Sequence, residues 1–229
     1  MSPTAADLWH RAHALIFDFD GVLADSEPVW RDTYNQALAP YGVSVPPEEY
    51  WEHWSSKGEG VRGHLRRHGL TGIDPEAVDR EQQRRYAACV ARGEILLVEG
   101  AARLLHLVCA RAAARPVVIA SNTACELIEQ LLAQGGAPVP RIIGGEGLPH
   151  KPAPDIFLAA LAELEVAAAT ALVIEDTEKG VRAARAAGVP VLLVRTPFNR
   201  RLAIDADHET DGLAALLEWA AQDAAHLTP

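Results

Sequence analysis

Five short apolar runs along the chain predict strands: residues 14–19, 116–120, 141–143, 171–174 and 189–194. Within each run, apolar and β-branched residues follow one another without alternating with polar ones. Continuous runs of this kind are typical of strands buried on both faces of a parallel sheet. The pattern therefore predicts an α/β fold in which a doubly wound parallel sheet is joined by crossover helices.

Helical patterns accompany the later runs and carry recognisable start and stop signals. They cover residues 101–114, 123–133, 178–187 and 212–221. Thr123 and Glu126 have the spacing of a capping box, which predicts that Thr123 begins its helix. Gly135 and Gly188 follow two of these helices, where a left-handed residue commonly ends a helix.

One long interval interrupts the succession of predicted strands and helices. The distance from residue 19 to residue 116 is far longer than a crossover connection requires. The intervening chain is polar and aromatic, with Trp30, Trp51 and Trp54, and its helical patterns break at residues 46–47 and 58–63. We therefore predict a small helical cap domain at residues 28–97, inserted into a core domain of residues 1–27 and 98–229.

Composition and charge narrow the function. The 229-residue chain is 49% hydrophobic and 23% charged, which is ordinary for a globular protein. A formal net charge of -10 disfavours nucleic acid and anionic membrane as partners. No apolar run is long enough to span a membrane, and the first residues lack the apolar core of a signal peptide, so a cytoplasmic protein is expected. The three cysteines have no metal-binding spacing, which favours free reduced thiols.

Polar residues follow each predicted strand, at the edge where parallel sheets bind ligands. They fall in four groups: residues 18–20, residues 121–123, residues 150–151 and residues 175–176. Because the carboxyl ends of parallel strands share one edge, carboxylates, a hydroxyl and an ammonium are predicted to meet there.

Two pairs of carboxylates suggest a metal site. Asp18 and Asp20 are two residues apart at a strand end, so their side chains leave the chain on one side. Together with Glu175 and Asp176 they would repel one another unless a hard cation lay among them, and an oxygen-rich loop site suits Mg²⁺. The alternatives are an Asx turn at Asp18 and Asp20, and a helix cap at Asp176.

A hydroxyl and a cation could bind a phosphoryl group beside these carboxylates. Ser121, Asn122 and Thr123 precede a helix, and a helix N-terminus with free N–H groups accepts phosphate. A helix-capping role explains the same residues equally well. Lys151 stands before a proline on a stiffened loop, where the alternative is a solvated surface lysine.

At these residues the sequence resembles the haloacid dehalogenase superfamily, specifically its phosphatases with a helical cap inserted after the first motif. The resemblance rests on four segments: DFDGVLADSE at residues 18–27, ASN at 120–122, HKPAPDIF at 150–157 and IEDTEKGVRAARAAG at 174–188. It covers the core from residue 14 to 27 and from 98 to 194, and it implies that superfamily's Rossmann-like core. The cap matches in placement only.

The resemblance implies aspartyl-phosphate chemistry. Asp18 would be the nucleophile, and Asp20 would protonate the leaving oxygen and then activate water. Mg²⁺ would be held by Asp18, Asp176 and the main-chain carbonyl of Asp20, with Glu175 bound directly or one shell further out. Ser121 and Lys151, with Asn122 beside them, would hold the phosphoryl oxygens of a small phosphate ester, such as a sugar phosphate.

Departures from the family pattern separate the alternatives. The carbon–halogen hydrolases typically lack the second aspartate, and Asp20 is present. β-Phosphoglucomutases usually carry a histidine on the cap hinge, and Trp30 stands at about that point here. Water is therefore the expected phosphoryl acceptor. A phosphosugar mutase and a non-catalytic phosphometabolite-binding protein remain the alternatives.

Cap residues complete the candidate site. The spacing Gly58-x-Gly60-x-x-Gly63 matches a dinucleotide fingerprint but follows no strand, so we interpret it as a flexible cap loop facing the site. Lys57 and Arg62 on that loop are expected to contact substrate. His64 and His68 have a spacing compatible with metal binding, but no third ligand is evident and exposed histidines are expected. The acidic surface suggests a monomer or weak dimer.

Overall fold

A six-stranded parallel sheet forms the centre of the molecule, for which a computed structural model describes residues 4–225. The strand order is β3-β2-β1-β4-β5-β6. The strands are β1 (Ala14–Phe17), β2 (Val117–Ala120), β3 (Arg141–Ile143), β4 (Ala171–Glu175), β5 (Val191–Arg195) and β6 (His208–Asp211).

The predicted doubly wound α/β fold is confirmed. Each of the five predicted strands forms, within two residues of its expected ends. The sixth strand, β6, escaped prediction because its sequence, HETD, is polar and lies at the sheet edge, where one flank needs no partner.

Ten α-helices precede, follow or lie between these strands along the chain within residues 4–225. They are α1 (Ala5–Arg11), α2 (Glu27–Leu38), α3 (Pro47–Glu49), α4 (Gly60–His68), α5 (Pro75–Ala91), α6 (Ala101–Cys109), α7 (Cys125–Gln134), α8 (Asp155–Leu164), α9 (Glu178–Ala186) and α10 (Ala214–Ala225). Short 3₁₀ turns occur at Ala39–Tyr41 and Ala168–Thr170, and a π-helix at Tyr50–Ser56 continues α3.

Alternate residues of each strand enter different cores, as the pleat requires. Leu15 and Phe17 of β1 pack into a core that includes Leu104 of α6 and Leu216 of α10. Ala14 and Ile16 face the other side, where α8 and α9 cover the sheet. Two buried faces explain why the strand sequences are continuously apolar.

The predicted capping box at Thr123 is wrong. Helix α7 begins at Cys125, and its N-cap residue is Ala124, with no side-chain hydrogen bond. The Thr123 hydroxyl instead turns toward the carboxyl edge of the sheet. A second difference is that α6 ends at Cys109, several residues before the predicted end.

The helices α2 to α5 lie between β1 and β2, as an inserted helical unit. This unit has its own apolar core, which contains Leu38, Tyr50, Trp54, Val61 and Val78. The limits 28–97 stay a prediction. The expected flexible loop is shorter than predicted, since α4 already begins at residue 60.

The chain leaves and re-enters the core at one place. Ala24 pairs with Leu97 in an antiparallel bridge, and the Asp25 N–H donates to the Leu96 carbonyl. Both ends of the insert are therefore fixed beside the carboxyl end of β1.

Among the helices of residues 4–225, none is long and apolar enough to cross a membrane.

Candidate active site

Side chains from four strand ends converge at the carboxyl edge of the sheet. Asp18 follows β1, Ser121 follows β2, and Glu175 and Asp176 lie at the end of β4. The loop after β3 brings in Lys151. The structure therefore assembles the residues that the sequence placed at this edge.

Lys151 is the buried cation of the site. Its Nζ donates to Asp18 Oδ1 at 2.7 Å, to Glu175 Oε1 at 3.0 Å and to the Ala120 carbonyl at 3.0 Å. Its side chain is only 2% exposed. Burial opposes its charge, but the two carboxylates outweigh burial and raise the pKa of Lys151 above its ordinary value. The surface-lysine alternative does not apply.

The carboxylates outnumber this cation. One oxygen each of Asp18, Glu175 and Asp176 lies within 4.8 Å of the others, and all three residues are buried. Burial raises the pKa of Asp18 to about 7, against the effect of Lys151. Burial and the carboxylates of Glu175 and Asp18 raise the pKa of Asp176 well above its ordinary value. When all three carboxylates are ionised, their charges and the positive charge of Lys151 sum to minus two. A divalent cation would neutralise that charge.

Two features of Asp176 fit a metal ligand. Its Oδ1 is buried and has no hydrogen-bond partner among the described residues. Gly21 faces it closely, because a Cβ at that position would lie 2.2 Å from Asp176 Oδ2. In addition, the main-chain carbonyl of Asp176 accepts a hydrogen bond from Asn199 Nδ2 at 2.7 Å. Thr177 caps α9, so the alternative of Asp176 as the helix cap is excluded.

Glu175 is fully engaged by protein groups. Its Oε2 accepts from the N–H groups of Asp176 and Thr177, both at 2.7 Å, and from the Thr177 hydroxyl at 2.8 Å. Its Oε1 accepts from Lys151. Gly180 leaves room for this carboxylate, since a Cβ there would lie 1.6 Å from Oε1. With both oxygens accepting hydrogen bonds, Glu175 orients Lys151 and the main chain of Asp176 and Thr177.

Asp20 is surrounded by hydrogen-bond donors from both the core and the insert. Oδ1 accepts from Ser26 Oγ at 2.6 Å and Trp30 Nε1 at 2.9 Å. Oδ2 accepts from Thr123 Oγ1 at 2.6 Å and Ser121 Oγ at 3.1 Å. The Asx-turn alternative for Asp20 is thereby excluded, because its side chain is bound by residues far along the chain.

Sequence reasoning missed part of this arrangement. The sequence predicts Thr123 as a helix cap or part of a phosphate site, and it gives no sign that the hydroxyls of Thr123 and Ser26 donate to Asp20. Trp30 was noted as the residue in place of a histidine, but not as a donor. Asn122 Oδ1 accepts from the main-chain N–H of Lys151 at 3.1 Å, so Asn122 fixes the Lys151 loop and also lines the cavity.

A cavity of about 350 Å³ lies between this edge and the helical insert. Its wall contains Asp20, Asn122 and Lys151 from the core, together with residues of the insert. The insert contributes polar and aromatic groups: Glu27, Trp30, Tyr34, Tyr50, Trp54, Ser55, Glu59, Arg62, Asp79 and Gln83.

The structure separates the two cap residues that were expected to contact substrate. Arg62 lines the cavity and pairs with Glu76. Lys57 is not among the lining residues, and its Nζ donates to Glu52 Oε1 at 2.7 Å. A lysine of the core, Lys179 on α9, lines the cavity in its place.

Glu27 is a buried carboxylate on the cavity wall. It accepts from Ser55 Oγ at 2.7 Å and from Tyr50 OH at 3.0 Å. Burial raises its pKa, and the charge of Lys179 opposes that shift. Glu27 thus places a carboxyl group with two hydroxyl neighbours on the cavity wall.

Comparison with known proteins gives the family. The model of haloacid dehalogenase-like hydrolases matches residues 12–188. Protein CbbY from Cupriavidus necator is 35% identical over 211 residues, covering 81% of this chain and 79% of that protein. Fructose-1-phosphate phosphatase YqaB from Escherichia coli is 27% identical, covering 82% and 99%. A crystal structure of CbbY from Rhodobacter sphaeroides with xylulose-(1,5)bisphosphate has a TM-score of 0.74 and 30% identity, covering 89% and 95%.

The chain therefore belongs to the family of haloacid dehalogenase-like hydrolases. The resemblance found in the sequence is confirmed, as is the expectation of a phosphoric monoester hydrolase. A buried acidic group that can hold a metal ion is also present.

Proposed function

We propose that this protein is a Mg²⁺-dependent phosphatase that hydrolyses a small sugar phosphate through an aspartyl-phosphate on Asp18. The observation that carries the proposal is the position of Asp18. Its carboxylate lies 2.7 Å from Lys151 Nζ and within 4.8 Å of the Asp176 carboxylate, and both Lys151 and Asp20 line the cavity.

The nucleophile is prepared by its neighbours. The ammonium of Lys151 favours the ionised form of Asp18 and would also neutralise a phosphoryl oxygen. Mg²⁺, held by Asp18, Asp176 and the Asp20 carbonyl, would supply charge neutralisation for the phosphoryl group. These oxygen ligands are of the type that Mg²⁺ prefers.

Asp20 performs the proton transfers. In the first half-reaction, Asp18 Oδ forms a bond to phosphorus, the ester P–O bond breaks, and Asp20 gives its proton to the leaving oxygen. In the second, water attacks phosphorus, Asp20 takes its proton, and the bond to Asp18 breaks to release phosphate. The hydrogen bonds from Ser26, Trp30, Ser121 and Thr123 fix the position of the Asp20 carboxylate for both steps.

The composition of the cavity supports a sugar phosphate. Carboxylates and hydroxyls such as Glu27, Tyr34 and Asp79 suit a polyhydroxylated ligand, while Arg62 and Lys179 suit a negatively charged one. A volume of about 350 Å³ fits a small metabolite. Two relatives named above also carry sugar phosphates in their names or titles.

Water is the proposed acceptor. The cap group nearest Asp20 is the Trp30 indole, whose N–H donates at 2.9 Å and has no basic nitrogen to pass a proton. Residues 28–97 serve in this proposal as a cap that covers the cavity and keeps bulk water out.

The decisive experiment measures phosphate release from sugar phosphates, phosphoglycolate and an aryl phosphate, with Mg²⁺ and with EDTA. We expect release that requires Mg²⁺ and falls by at least ~10³-fold in Asp18→Asn. Asp25→Asn is the matched control, since Asp25 lies in the same motif but is exposed. Full activity of Asp18→Asn would refute the mechanism. Hexose-phosphate isomerisation dependent on a bisphosphate, without net phosphate release, would establish a mutase instead.

A further inference from the structure

A second group of metal-ligating side chains lies within the helical insert. Glu49 ends α3, and His64 and His68 lie one turn apart on α4. One ligand atom of each lies within 4.8 Å of the other two. We call these three residues the cap cluster. The structure corrects the sequence expectation here, because the Glu49 carboxylate lies beside both histidines as a possible third ligand and His64 is buried.

The three side chains of the cap cluster are in hydrogen-bond contact, which a metal ion would replace. Glu49 Oε1 is 2.8 Å from His64 Nδ1 and 2.8 Å from His68 Nε2. The two imidazole centroids are 4.5 Å apart. Tetrahedral zinc with bonds of about 2.0–2.1 Å separates its N and O ligands by roughly 3.3 Å. Each N–O contact would therefore lengthen by only about half an ångström, which side-chain rotation provides.

The two histidines of the cap cluster differ in their exposure to solvent. The His64 side chain is 3% exposed and packs on Trp54 at 5.5 Å between ring centroids. The His68 side chain is 47% exposed. One ligand is thus fixed in the interior of the insert, while the other leaves a path for an ion from solvent.

Neighbouring charges orient Glu49. Arg67 Nη2 donates to Glu49 Oε1 at 2.6 Å, and Arg67 also pairs with Glu59. Glu59 in turn accepts a hydrogen bond from His53 Nδ1 at 3.1 Å. One guanidinium is shared by two carboxylates, so Glu49, Glu59 and Arg67 together carry a formal charge of minus one when ionised. Arg67 thereby resembles the outer hydrogen-bonding groups that hold ligating carboxylates in metalloproteins.

We propose that the cap cluster binds a transition-metal cation such as Zn²⁺ through His64 Nδ1, His68 Nε2 and the Glu49 carboxylate, with water as a fourth ligand. Two imidazoles and one carboxylate match zinc, whereas the all-oxygen group of Asp18, Glu175 and Asp176 suits Mg²⁺. The proposal is independent of the proposed function, since none of these three residues lines the cavity.

The test is equilibrium binding of Zn²⁺ to tag-free protein in excess Mg²⁺, with Co²⁺ as a spectroscopic substitute. The measurement uses the Asp176→Asn variant, so that zinc bound by the carboxylates of Asp18, Glu175 and Asp176 is not counted. We expect one Zn²⁺ per chain, a rise in melting temperature, and visible Co²⁺ bands of a four- or five-coordinate site. Absorption from cobalt–thiolate charge transfer is not expected, since all three proposed ligands are N and O.

Substitutions locate the site. His68→Gln is expected to weaken Zn²⁺ binding by at least ~10-fold, and Glu49→Gln should do the same if His68→Gln folds poorly. His106→Gln is the matched control, because His106 is exposed and lies on α6 in the core. Absence of stoichiometric Zn²⁺ binding would overturn the proposal. Binding that is unchanged in both variants, or a thiolate band with Co²⁺, would also overturn it.

Discussion

At the scale of single residues, Asp20 shows how the site is held together. The core supplies Ser121 and Thr123 to one carboxylate oxygen, and the insert side supplies Ser26 and Trp30 to the other. Hydrogen bonds to a charged group are worth about 1.5–3 kcal/mol each. The orientation of Asp20, the proposed acid–base group, is therefore fixed from both sides, and loss of any one donor should be measurable.

Thr123→Val tests this argument. The substitution keeps the shape of the side chain but removes the hydroxyl that donates to Asp20 Oδ2 at 2.6 Å. We expect kcat to fall by about 10-fold, since one charged hydrogen bond is lost, with a smaller change in KM. Thr123→Ser keeps the donor and serves as the control. Equal kcat values for the two variants would contradict the role assigned to Thr123.

Gly21→Ala tests the space beside Asp176. Gly21 has φ of +80°, and its Cβ would lie 2.2 Å from Asp176 Oδ2, so alanine should displace that carboxylate. We expect the Mg²⁺ concentration for half-maximal activity to rise by at least ~10-fold.

Gly42→Ala separates backbone strain from this contact. Gly42 has φ of +68°, with no atom within 4 Å of its Cβ position. An alanine there should cost about 1–2 kcal/mol of stability and leave the Mg²⁺ dependence unchanged. A similar change in Mg²⁺ dependence for both variants would show that strain alone is responsible.

At the scale of elements, the insert touches the core through an aromatic contact. Trp51 in the π-helix packs on Phe198 in the loop after β5, with ring centroids 4.5 Å apart. Nearby, the Glu178 N–H at the start of α9 donates to Ser56 Oγ at 3.3 Å. The Phe198 loop continues to Asn199, which binds the Asp176 carbonyl. One loop thus joins the insert to the acidic group.

Phe198→Ala should loosen this contact. An aromatic pair contributes about 0.5–1.5 kcal/mol, so we expect KM to rise by roughly 2- to 10-fold. The change in kcat should be smaller, because neither ring belongs to the reacting groups. Steady-state kinetics on the best substrate measure both. Tyr41→Ala is the control, since Tyr41 is an exposed aromatic residue of the insert, 44% accessible to solvent. An unchanged KM would show that this contact does not help to hold the insert over the cavity.

At the scale of the whole molecule, the active site lowers the stability of the fold. Asp18, Glu175 and Asp176 are buried together with a single ammonium, in a protein whose net charge is already -10. Burial of like charges is unfavourable unless a cation binds or a carboxylate takes up a proton. The site is thus built for binding at a cost to the metal-free fold.

Asp176→Asn should therefore stabilise the protein in EDTA. Removal of one buried charge is expected to raise the free energy of unfolding by about 1–2 kcal/mol, or roughly 2–8 °C in melting temperature. Mg²⁺ should raise the melting temperature of the unsubstituted protein but not of this variant. Asp25→Asn, at an exposed carboxylate, should change neither value. A variant less stable than the unsubstituted protein in EDTA would contradict this account.

The sequence by itself determined the parallel sheet and its polar edge. Continuous apolar runs such as 171–174 are typical of strands buried on both faces, and strand direction then brings Asp18, Ser121, Lys151 and Asp176 to one side. These inferences depend on local pattern and on the geometry of parallel strands, both of which can be read along the chain.

Only the tertiary structure decided which side chains meet across the fold. Thr123 has a capping spacing in the sequence, yet its hydroxyl reaches Asp20, 103 residues away. His64 and His68 gain Glu49 as a neighbour because α3 and α4 both pack against the π-helix at Tyr50–Ser56. Such contacts depend on how helices are placed relative to one another, and that placement follows from packing of the whole chain and not from local spacing.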